Sequence, residues 1–204
     1  KSVSNQTYKN LEHIIIDNLS TDGTVKLVES LSHPRIQFIS EADTGQGDAI
    51  NKGFALSNGD IIMWLNADDF LASDSVISKI VEKFYKNKDI DIVYGGVEFV
   101  DYLGLFLRYV PPLKVCLDML NYVAYIGNSN IFVSRRAFVR CPIDQNYHFV
   151  IDHEWLMRIF RCNFQYKMIN IPITKFRKHS EAKTSVYSLQ LKIEERGRRN
   201  RKYN

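Results

Sequence analysis

The fold class is decided by the stretch NGDIIMWLNADD, residues Asn58–Asp69. Its opening Asn-Gly pair favours a helix end, and the almost entirely apolar run Asp60–Leu65 predicts a strand covered on both faces. The stretch ends in two adjacent aspartates, Asp68 and Asp69. Like charges this close raise each other's pKa unless a cation compensates them. The pair therefore predicts either a Mg²⁺ or Mn²⁺ site or a plain cap for the helix that begins near Ser73.

Strand-like and helix-like segments alternate around this stretch. The sequence predicts strands at His13–Ile16, Arg35–Ser40 and Ile92–Tyr94, and helices at Val25–Ser32, Gly45–Ser57 and Ser73–Lys86. Such alternation predicts an α/β fold with a parallel sheet flanked by helices. Ligands of these folds bind beyond the carboxyl ends of the strands, so Asp17 and the Asp68-Asp69 pair are expected in one crevice.

The pattern changes after Gly95-Gly96. Here the sequence predicts a hairpin over Val97–Val110, a strand at Ser129–Val133, a helix at Phe149–Phe160, a turn at Pro172 and an amphipathic helix from Val186 to Glu195.

The composition is that of a soluble globular protein: 204 residues, 45% hydrophobic and 25% charged. It excludes a disordered chain, a collagen-like repeat and a coiled coil as the main state. The apolar runs are too short to cross a bilayer, and no stretch reads as a signal peptide. Cys116, Cys141 and Cys162 form no CxxC pair, which favours a reducing compartment without a disulfide framework.

Positive charge is concentrated at the carboxyl end. The net charge is +4, yet residues 174–204 hold ten Lys or Arg and three Asp or Glu. This asymmetry predicts either an anionic partner, such as a membrane surface, or a solvated tail. Nucleic acid is disfavoured because no aromatic platform is interleaved with the basic residues.

Four blocks resemble glycosyltransferase family 2 in order and spacing: Gln6–Asp17, Ser20–Thr24, Ile39–Gly53 and Asn58–Asp69. The resemblance implies a GT-A fold, with a mostly parallel Rossmann-like sheet and a mixed acceptor-side half. It also implies an inverting transfer of sugar from a nucleotide-sugar donor to an acceptor. Residues 1–100 would bind the donor, residues 101–180 would bind the acceptor and carry the base, and residues 181–204 would form a basic helix or tail.

The resemblance also implies roles for acidic residues in the donor half. Asp17 and Asn18 would hold the nucleotide base, and Asp48 would lie near the nucleoside. Asp68 would face the ribose and the metal, Mn²⁺ or Mg²⁺, and Asp69 would bind the metal directly. Each aspartate has a plainer alternative as a turn or helix-start residue.

The segment Phe149–Arg158 resembles the acidic-motif helix of the family. Asp152 aligns with the catalytic base and Glu154 with a second acid, although an acid at a helix start is favourable in any protein. Trp155 would floor the acceptor site, although an aromatic residue on a helix is more often core.

Weaker similarities extend the implied site. Asn128, in the loop 127–130, would lie beside the transferred sugar and the acceptor. His179 would make a further metal or diphosphate contact, and the basic residues Arg177, Lys178 or Lys183 would neutralise the leaving diphosphate.

The sequence departs from the family at two points. Asn66 stands where many members have the first acid of the metal motif, and the family's first strand is missing. The chain is therefore expected to be a fragment or to have lost that segment. Two alternatives remain open: a sugar nucleotidyltransferase, and a truncated inactive relative that acts as a binding module.

The resemblance places the protein in the cytoplasm, peripherally at the inner face of the membrane, with a saccharide or lipid-linked saccharide as acceptor. Val186, Leu189 and Ile193 would face one side of the last helix, and the basic residues after it would meet anionic lipid.

Overall fold

The computed structural model describes residues 1–31, 33–180, 182 and 189–203. It is an α/β fold of two sheets flanked by helices. The strands are β1 (His13–Asp17), β2 (Ile36–Ser40), β3 (Ile61–Ile62), β4 (Phe70–Leu71), β5 (Ile90–Val100), β6 (Phe106–Val110), β7 (Ile131–Ser134) and β8 (Gln165–Arg177). The helices are α1 (Thr24–Ser30), α2 (Gln46–Leu56), α3 (Val76–Lys86), α4 (Leu117–Tyr122), α5 (Arg135–Arg140), α6 (Ile151–Phe160) and α7 (Leu189–Tyr203).

The α/β class predicted from the sequence is confirmed, but the larger sheet is mixed, so the predicted mostly parallel pairing is wrong. β1 and β2 form a parallel two-stranded sheet. The second sheet has six strands in the order β3-β7-β5-β8-β4, with β6 paired to β5. Among the described strands, only β1–β2 and β5–β8 pair in parallel. Strands from both sides of residue 100 share the larger sheet, so the predicted donor and acceptor halves are not separate sheets.

The larger sheet lies between two hydrophobic clusters. Ile92 and Tyr94 on β5 belong to the cluster that contains α6, whereas Val93 between them belongs to the cluster that contains α3. This alternation follows from the two-residue period of a strand. It places α6, the helix predicted to carry the base, against one face of the sheet.

Strand β5 is longer than the predicted Ile92–Tyr94 because Gly95 and Gly96 do not end it. A Cβ at Gly95 would lie 2.7 Å from the carbonyl oxygen of Ile171, and one at Gly96 would lie 2.5 Å from the ring of Tyr109. The glycines therefore allow close approach of neighbouring strands instead of forming a turn.

The turn predicted at Pro172 is wrong, because Pro172 lies inside β8. It pairs with Gly96 where the β5–β8 register shifts, so the ladder is already irregular there. Proline is tolerated in sheets at such irregular positions because it has no N–H to donate.

The predicted strand Asp60–Leu65 is paired only at Ile61 and Ile62, which lie on the edge strand β3. The predicted α2 and α3 are confirmed within three residues at each end. The start of the last predicted helix, at Val186, lies outside the described residues. From Leu189 that helix runs through Gly197 to Tyr203, beyond the predicted end.

Two further findings concern the cysteines and the helices. The Sγ atoms of Cys141 and Cys162 lie 3.1 Å apart as free thiols, a proximity that the sequence did not predict. Within the described ranges, no helix combines the length and the apolar character needed to span a bilayer.

Candidate active site

The carboxyl group of Asp69 lies at the centre of a polar cluster. Asn66 Nδ2 donates to Asp69 Oδ2 at 3.2 Å, and the backbone N–H of Arg177 donates to Oδ1 at 3.3 Å. Asn66 Oδ1 accepts hydrogen bonds from the amides of Gln46 and Asn128, each at 3.4 Å. The cluster therefore joins the start of α2, the β3–β4 connection, the turn before β7 and the end of β8.

Asp69 is buried, with 7% of its surface exposed. Burial, followed by the charge of Asp68, raises its pKa to about 6, although hydrogen bonds from Ser129, Arg177 and Asn66 oppose the rise. Both aspartates are therefore costly to ionise together without a nearby cation. This is the electrostatic arrangement that the sequence predicted for the pair.

Asp68 is more exposed and binds the predicted metal contact His179. Asp68 Oδ2 and His179 Nε2 lie 3.0 Å apart. The guanidinium of Arg177 is held by two carbonyl oxygens, Asp68 O at 3.3 Å and Tyr102 O at 2.7 Å. Lys178 lies over the ring of Phe99 at 5.3 Å. Lys183, the third candidate for the diphosphate, lies outside the described residues.

A surface depression of about 490 Å³ adjoins the two aspartates. Its lining residues are Lys1, Ser2, Ala67, Asp68, Asp69, Phe70 and Arg177.

The donor chemistry of the cluster fits a hard divalent cation, because Asp68 and Asp69 offer carboxylate oxygens and His179 offers an imidazole nitrogen. Across the described ranges, however, no group of three or more His, Cys, Asp or Glu side chains converges to hold an ion. Mg²⁺ sites often use one or two carboxylates and take further ligands from substrate phosphates. The residues fit a site of that kind.

The other predicted donor residues surround the ends of β1 and β2. Asp17 Oδ2 accepts from Ser20 N at 3.0 Å and from Ser40 Oγ at 2.6 Å. The hydrogen bonds from Ser20, then Ser40, hold the pKa of Asp17 below its usual value. Asp17 therefore stays ionised and braces the two strand ends.

Asn18 and Asp48 both bind the segment 43–48, which precedes and begins α2. Asn18 Oδ1 accepts from Asp43 N at 3.0 Å, and Asp48 Oδ2 accepts from Thr44 N at 3.0 Å. The bond from Thr44 lowers the pKa of Asp48, with a smaller effect from Lys52.

The same segment connects the Asp69 cluster to the start of α6. Gln46 reaches Asn66, as described above. Gly45 and Gly47 lie close to residues at the start of α6. A Cβ at Gly45 would lie 3.5 Å from the ring of His148, and one at Gly47 would lie 3.1 Å from Ile151 Cδ1. The structure thus places donor-side loops against the residues next to Asp152.

Asp152 lies in the first turn of α6 and is half-buried. Its Oδ1 accepts from the following N–H, that of His153, at 2.7 Å. Asp152 and Arg158 are the two residues of α6 that are half-buried rather than buried, so the predicted base lies at the edge of the core.

The acceptor roles predicted for Glu154 and Trp155 do not fit their positions. Glu154 is 0% exposed and binds Arg158, Lys202 and Tyr203. Trp155 is 2% exposed and donates through Nε1 to Cys141 O at 2.8 Å. A side chain without exposed surface cannot touch an acceptor, so we assign Glu154 to an internal ion pair and Trp155 to the core. Asn128 is also buried, at 7%, but it faces the Asp69 cluster.

Part of the basic tail is also internal. Arg199 is 2% exposed and donates to Asn121 O at 3.1 Å, and Lys202 Nζ lies 2.9 Å from Glu154 Oε1. Arg196, Arg198 and Arg201 remain exposed. From the sequence, these five basic residues of the tail were predicted to form one surface. Contacts between distant helices leave no trace in local composition, so the burial of Arg199 was not predicted.

Sequence reasoning also missed Gln46, Ser129 and Glu195. Gln46 stands between Gly45 and Gly47 and carries no charge that would mark it as a site residue. Ser129 follows the predicted Asn128. Glu195 stands in a charged run with no local signal of burial.

Comparison with known proteins places these features in a family. The model of the family described as Glycosyl transferase family 2 matches residues 1–160. The chain is 30% identical over 187 residues to an uncharacterized glycosyltransferase of Rickettsia bellii. The aligned residues cover 86% of this chain and 27% of the relative. It is 26% identical over 208 residues to the amylovoran biosynthesis glycosyltransferase AmsB of Erwinia amylovora, which covers 92% of this chain and 68% of AmsB.

Solved structures show the same fold. TarS 1-349 of S. aureus in complex with UDP-GlcNAc aligns with a TM-score of 0.70 and 14% identity, over 92% of this chain and 56% of TarS. The mannosyltransferase PcManGT of Pyrobaculum calidifontis, in complex with GDP-Man and Mn²⁺, aligns with a TM-score of 0.65 and 16% identity, over 89% and 52%. The fold is therefore GT-A, as the sequence predicted. The chain spans about half of these structures and about a quarter of the Rickettsia bellii relative.

Proposed function

The chain belongs to glycosyltransferase family 2, and on that premise we propose that it transfers a sugar from a nucleotide-diphosphate donor to an acceptor hydroxyl, with inversion at the anomeric carbon. The observation that carries the proposal is the buried Asp69 beside Asp68, linked through residues 43–48 to the helix of Asp152.

Donor binding would use the ends of β1 and β2. Asp17 and Asn18 would contact the nucleotide base, Asp48 the nucleoside and Asp68 the ribose. Hydrogen bonds fix the orientation of Asp17, Asn18 and Asp48, so they are ordered before a ligand arrives. UDP-GlcNAc and GDP-Man in the neighbouring structures support a nucleotide-sugar as the donor class.

The metal site would use Asp69, with Asp68 and His179 beside it. When bound, Mn²⁺ or Mg²⁺ would neutralise the charge that develops on the departing diphosphate. Without a cation, burial and then the charge of Asp68 raise the pKa of Asp69 to about 6. A bound cation would favour the ionised form of this carboxyl group. The Mn²⁺ bound in the PcManGT complex supports this assignment.

Asp152 would act as the general base. It takes the proton of the acceptor hydroxyl while that oxygen attacks the anomeric carbon. The bond from the anomeric carbon to the diphosphate oxygen breaks on the opposite side, and the diphosphate leaves with the electron pair. One displacement of this kind inverts the configuration.

The acceptor would be a saccharide or a lipid-linked saccharide in polysaccharide biosynthesis. The name of AmsB, an amylovoran biosynthesis glycosyltransferase, supports this class. We place the protein in the cytoplasm at the inner face of the membrane, where Arg196, Arg198 and Arg201 would meet anionic lipid.

The test is release of nucleoside diphosphate from a panel of nucleotide-sugars with Mn²⁺, including UDP-GlcNAc and GDP-mannose, with and without saccharide acceptors. We expect Asp69→Ala to abolish the activity that added Mn²⁺ supports. We expect Asp152→Asn to lower kcat roughly 10²–10⁴-fold, the range of general-base catalysis.

The matched control is Asp89→Asn, since Asp89 is exposed in the loop after α3. It should retain wild-type turnover. Wild-type activity in both Asp69→Ala and Asp152→Asn would show that the site assignment is wrong.

A further inference from the structure

The backbone that enters α6 is held by a carboxylate from α7. The N–H groups of His148, Phe149 and Val150 donate to the carboxylate of Glu195 at 2.8, 2.6 and 3.0 Å. Glu195 is 0% exposed. The helix has no side-chain cap from its own N-cap residue, Val150. Glu195 therefore fixes the three residues that lead into α6 and places a negative charge close to the start of the helix, where the helix dipole favours one.

A second residue of α7 fixes the position after Asp152. The guanidinium of Arg199 contacts His153 Nδ1. Arginine only donates, so Nδ1 accepts, and His153 Nε2–H donates to Leu120 O at 2.5 Å. The ring of His153 is thus held on both nitrogens.

The same helix also binds the position that follows. Glu154 Oε1 accepts from Lys202 Nζ at 2.9 Å and from Tyr203 OH at 2.6 Å. Contacts from α7 therefore hold the residues before Asp152 and the two residues after it.

We propose that Glu195 is a positioning residue for Asp152, acting by fixing the backbone at residues 148–150. The inference rests on the proposed function, in which Asp152 is the base. A base must lie within hydrogen-bond reach of the acceptor proton, and a displacement of about 1 Å can cost roughly 10²-fold in rate. Glu195 itself is buried and touches no substrate in this arrangement.

The experiment compares Glu195→Gln with Glu194→Gln. Both changes remove one charge from neighbouring positions of α7, but Glu194 is exposed. Glutamine at 195 keeps the size of the side chain and turns an N–H₂ group toward N–H donors. We measure kcat and KM for UDP-GlcNAc or GDP-mannose with Mn²⁺, and hydrogen exchange of the amides at residues 148–150.

We expect Glu195→Gln to lower kcat roughly 10- to 100-fold and to raise the KM for the donor by a smaller factor, because, of these residues, only the ring of His148 lies close to Gly45 of the donor-side segment. Exchange at residues 148–150 should become faster. Glu194→Gln should match the wild type in both measurements. If Glu195→Gln fails to fold, Glu195→Asp, which keeps the charge but shortens the reach to the amides of residues 148–150, should show the same split between kcat and KM.

Several outcomes would overturn the inference. Unchanged exchange in Glu195→Gln would show that the carboxylate does not hold these amides, whatever the activity. Faster exchange with wild-type kcat would show that the held backbone does not position the base. Absence of turnover in the wild type would instead refute the proposed function, and the positioning role with it.

Discussion

At the scale of single residues, the helix that carries Asp152 is held by buried carboxylates that have specific partners. Glu154 and Glu195 are both fully buried, and each accepts several hydrogen bonds. Hydrogen bonds, first from Arg158 and then from Lys202 and Tyr203, outweigh the larger single effect of burial and lower the pKa of Glu154. Loss of one partner from such a pair leaves an uncompensated buried charge, which is strongly destabilising.

His153 gives the fold a dependence on pH. Burial, then the charge of Arg199, lowers its pKa from 6.5 to about 4. The unfolded chain therefore binds this proton more readily than the folded chain does. The contribution of His153 to stability is complete above about pH 6.5 and falls as the pH drops toward 4, by about 3 kcal/mol in total.

The check is urea unfolding across that pH range. The free energy of unfolding of His153→Gln should depend less on pH than that of the wild type, although the variant is less stable overall. Ile159→Val, a change at a buried residue of the same helix that has no titratable group, should keep the wild-type slope. An identical slope in His153→Gln would contradict the prediction.

At the scale of elements, α6 is held at both ends. α7 binds its start, and the thiols of Cys141 and Cys162 meet where α5 and α6 end. The Sγ–Sγ distance of 3.1 Å must shorten to about 2.05 Å to form a disulfide. Burial, then the hydrogen bond with Cys162, raises the pKa of Cys141. Cys162 is the less buried of the two, so a small disulfide reaches its sulfur more readily.

We expect an intramolecular disulfide when the folded protein is incubated with oxidised glutathione. Cys162 attacks the small disulfide and releases one thiol, and Cys141 then displaces the second. The intact mass should fall by two hydrogen atoms. Cys162→Ser should prevent the change, and Cys116→Ser should not. Alkylation of both Cys141 and Cys162 after oxidation would contradict the prediction.

The long helices were easier to predict from the sequence than the short elements, since α4 and α5, of six residues each, were not predicted. The apolar positions of α3 recur at the helical period, and Val76, Ile80 and Val81 are indeed buried. β4 and β8 were missed, because β4 has two residues and β8 contains Pro172. Their pairing depends on distant strands, so no local pattern indicates it.

The residues of the candidate site were likewise predictable only where a local sequence pattern marks them. Short motifs indicated Asp69 and Asp152, whereas the contacts of Glu195 and Arg199 bridge 45 or more residues of chain. A charged residue that is buried by a distant helix reads in sequence like any exposed one. This is why the acceptor role of Glu154 and the uniform basic tail were predicted and do not fit the structure.

At the scale of the whole molecule, the exposed face of α7 determines how the protein could meet a membrane. Arg196 and Arg201 are exposed, whereas Arg199 is buried and the exposed Lys202 pairs with Glu154. Each basic residue near an anionic leaflet contributes roughly 1 kcal/mol, and salt screens the effect.

We therefore expect the protein to float with vesicles that contain phosphatidylglycerol, and to float less at high salt. Arg196→Gln with Arg201→Gln should weaken flotation. Lys79→Gln with Lys83→Gln, the same charge change on α3, should not. Flotation that is insensitive to salt would contradict an electrostatic contact.

The bonds from residues 148–150 to Glu195 also impose an order on biosynthesis. These amides leave the ribosome 45 to 47 residues before their acceptor does. The segment before Asp152 therefore lacks these hydrogen bonds in the nascent chain until α7 has been synthesised. Maturation of this site therefore has to follow the synthesis of α7, 45 to 47 residues further along the chain.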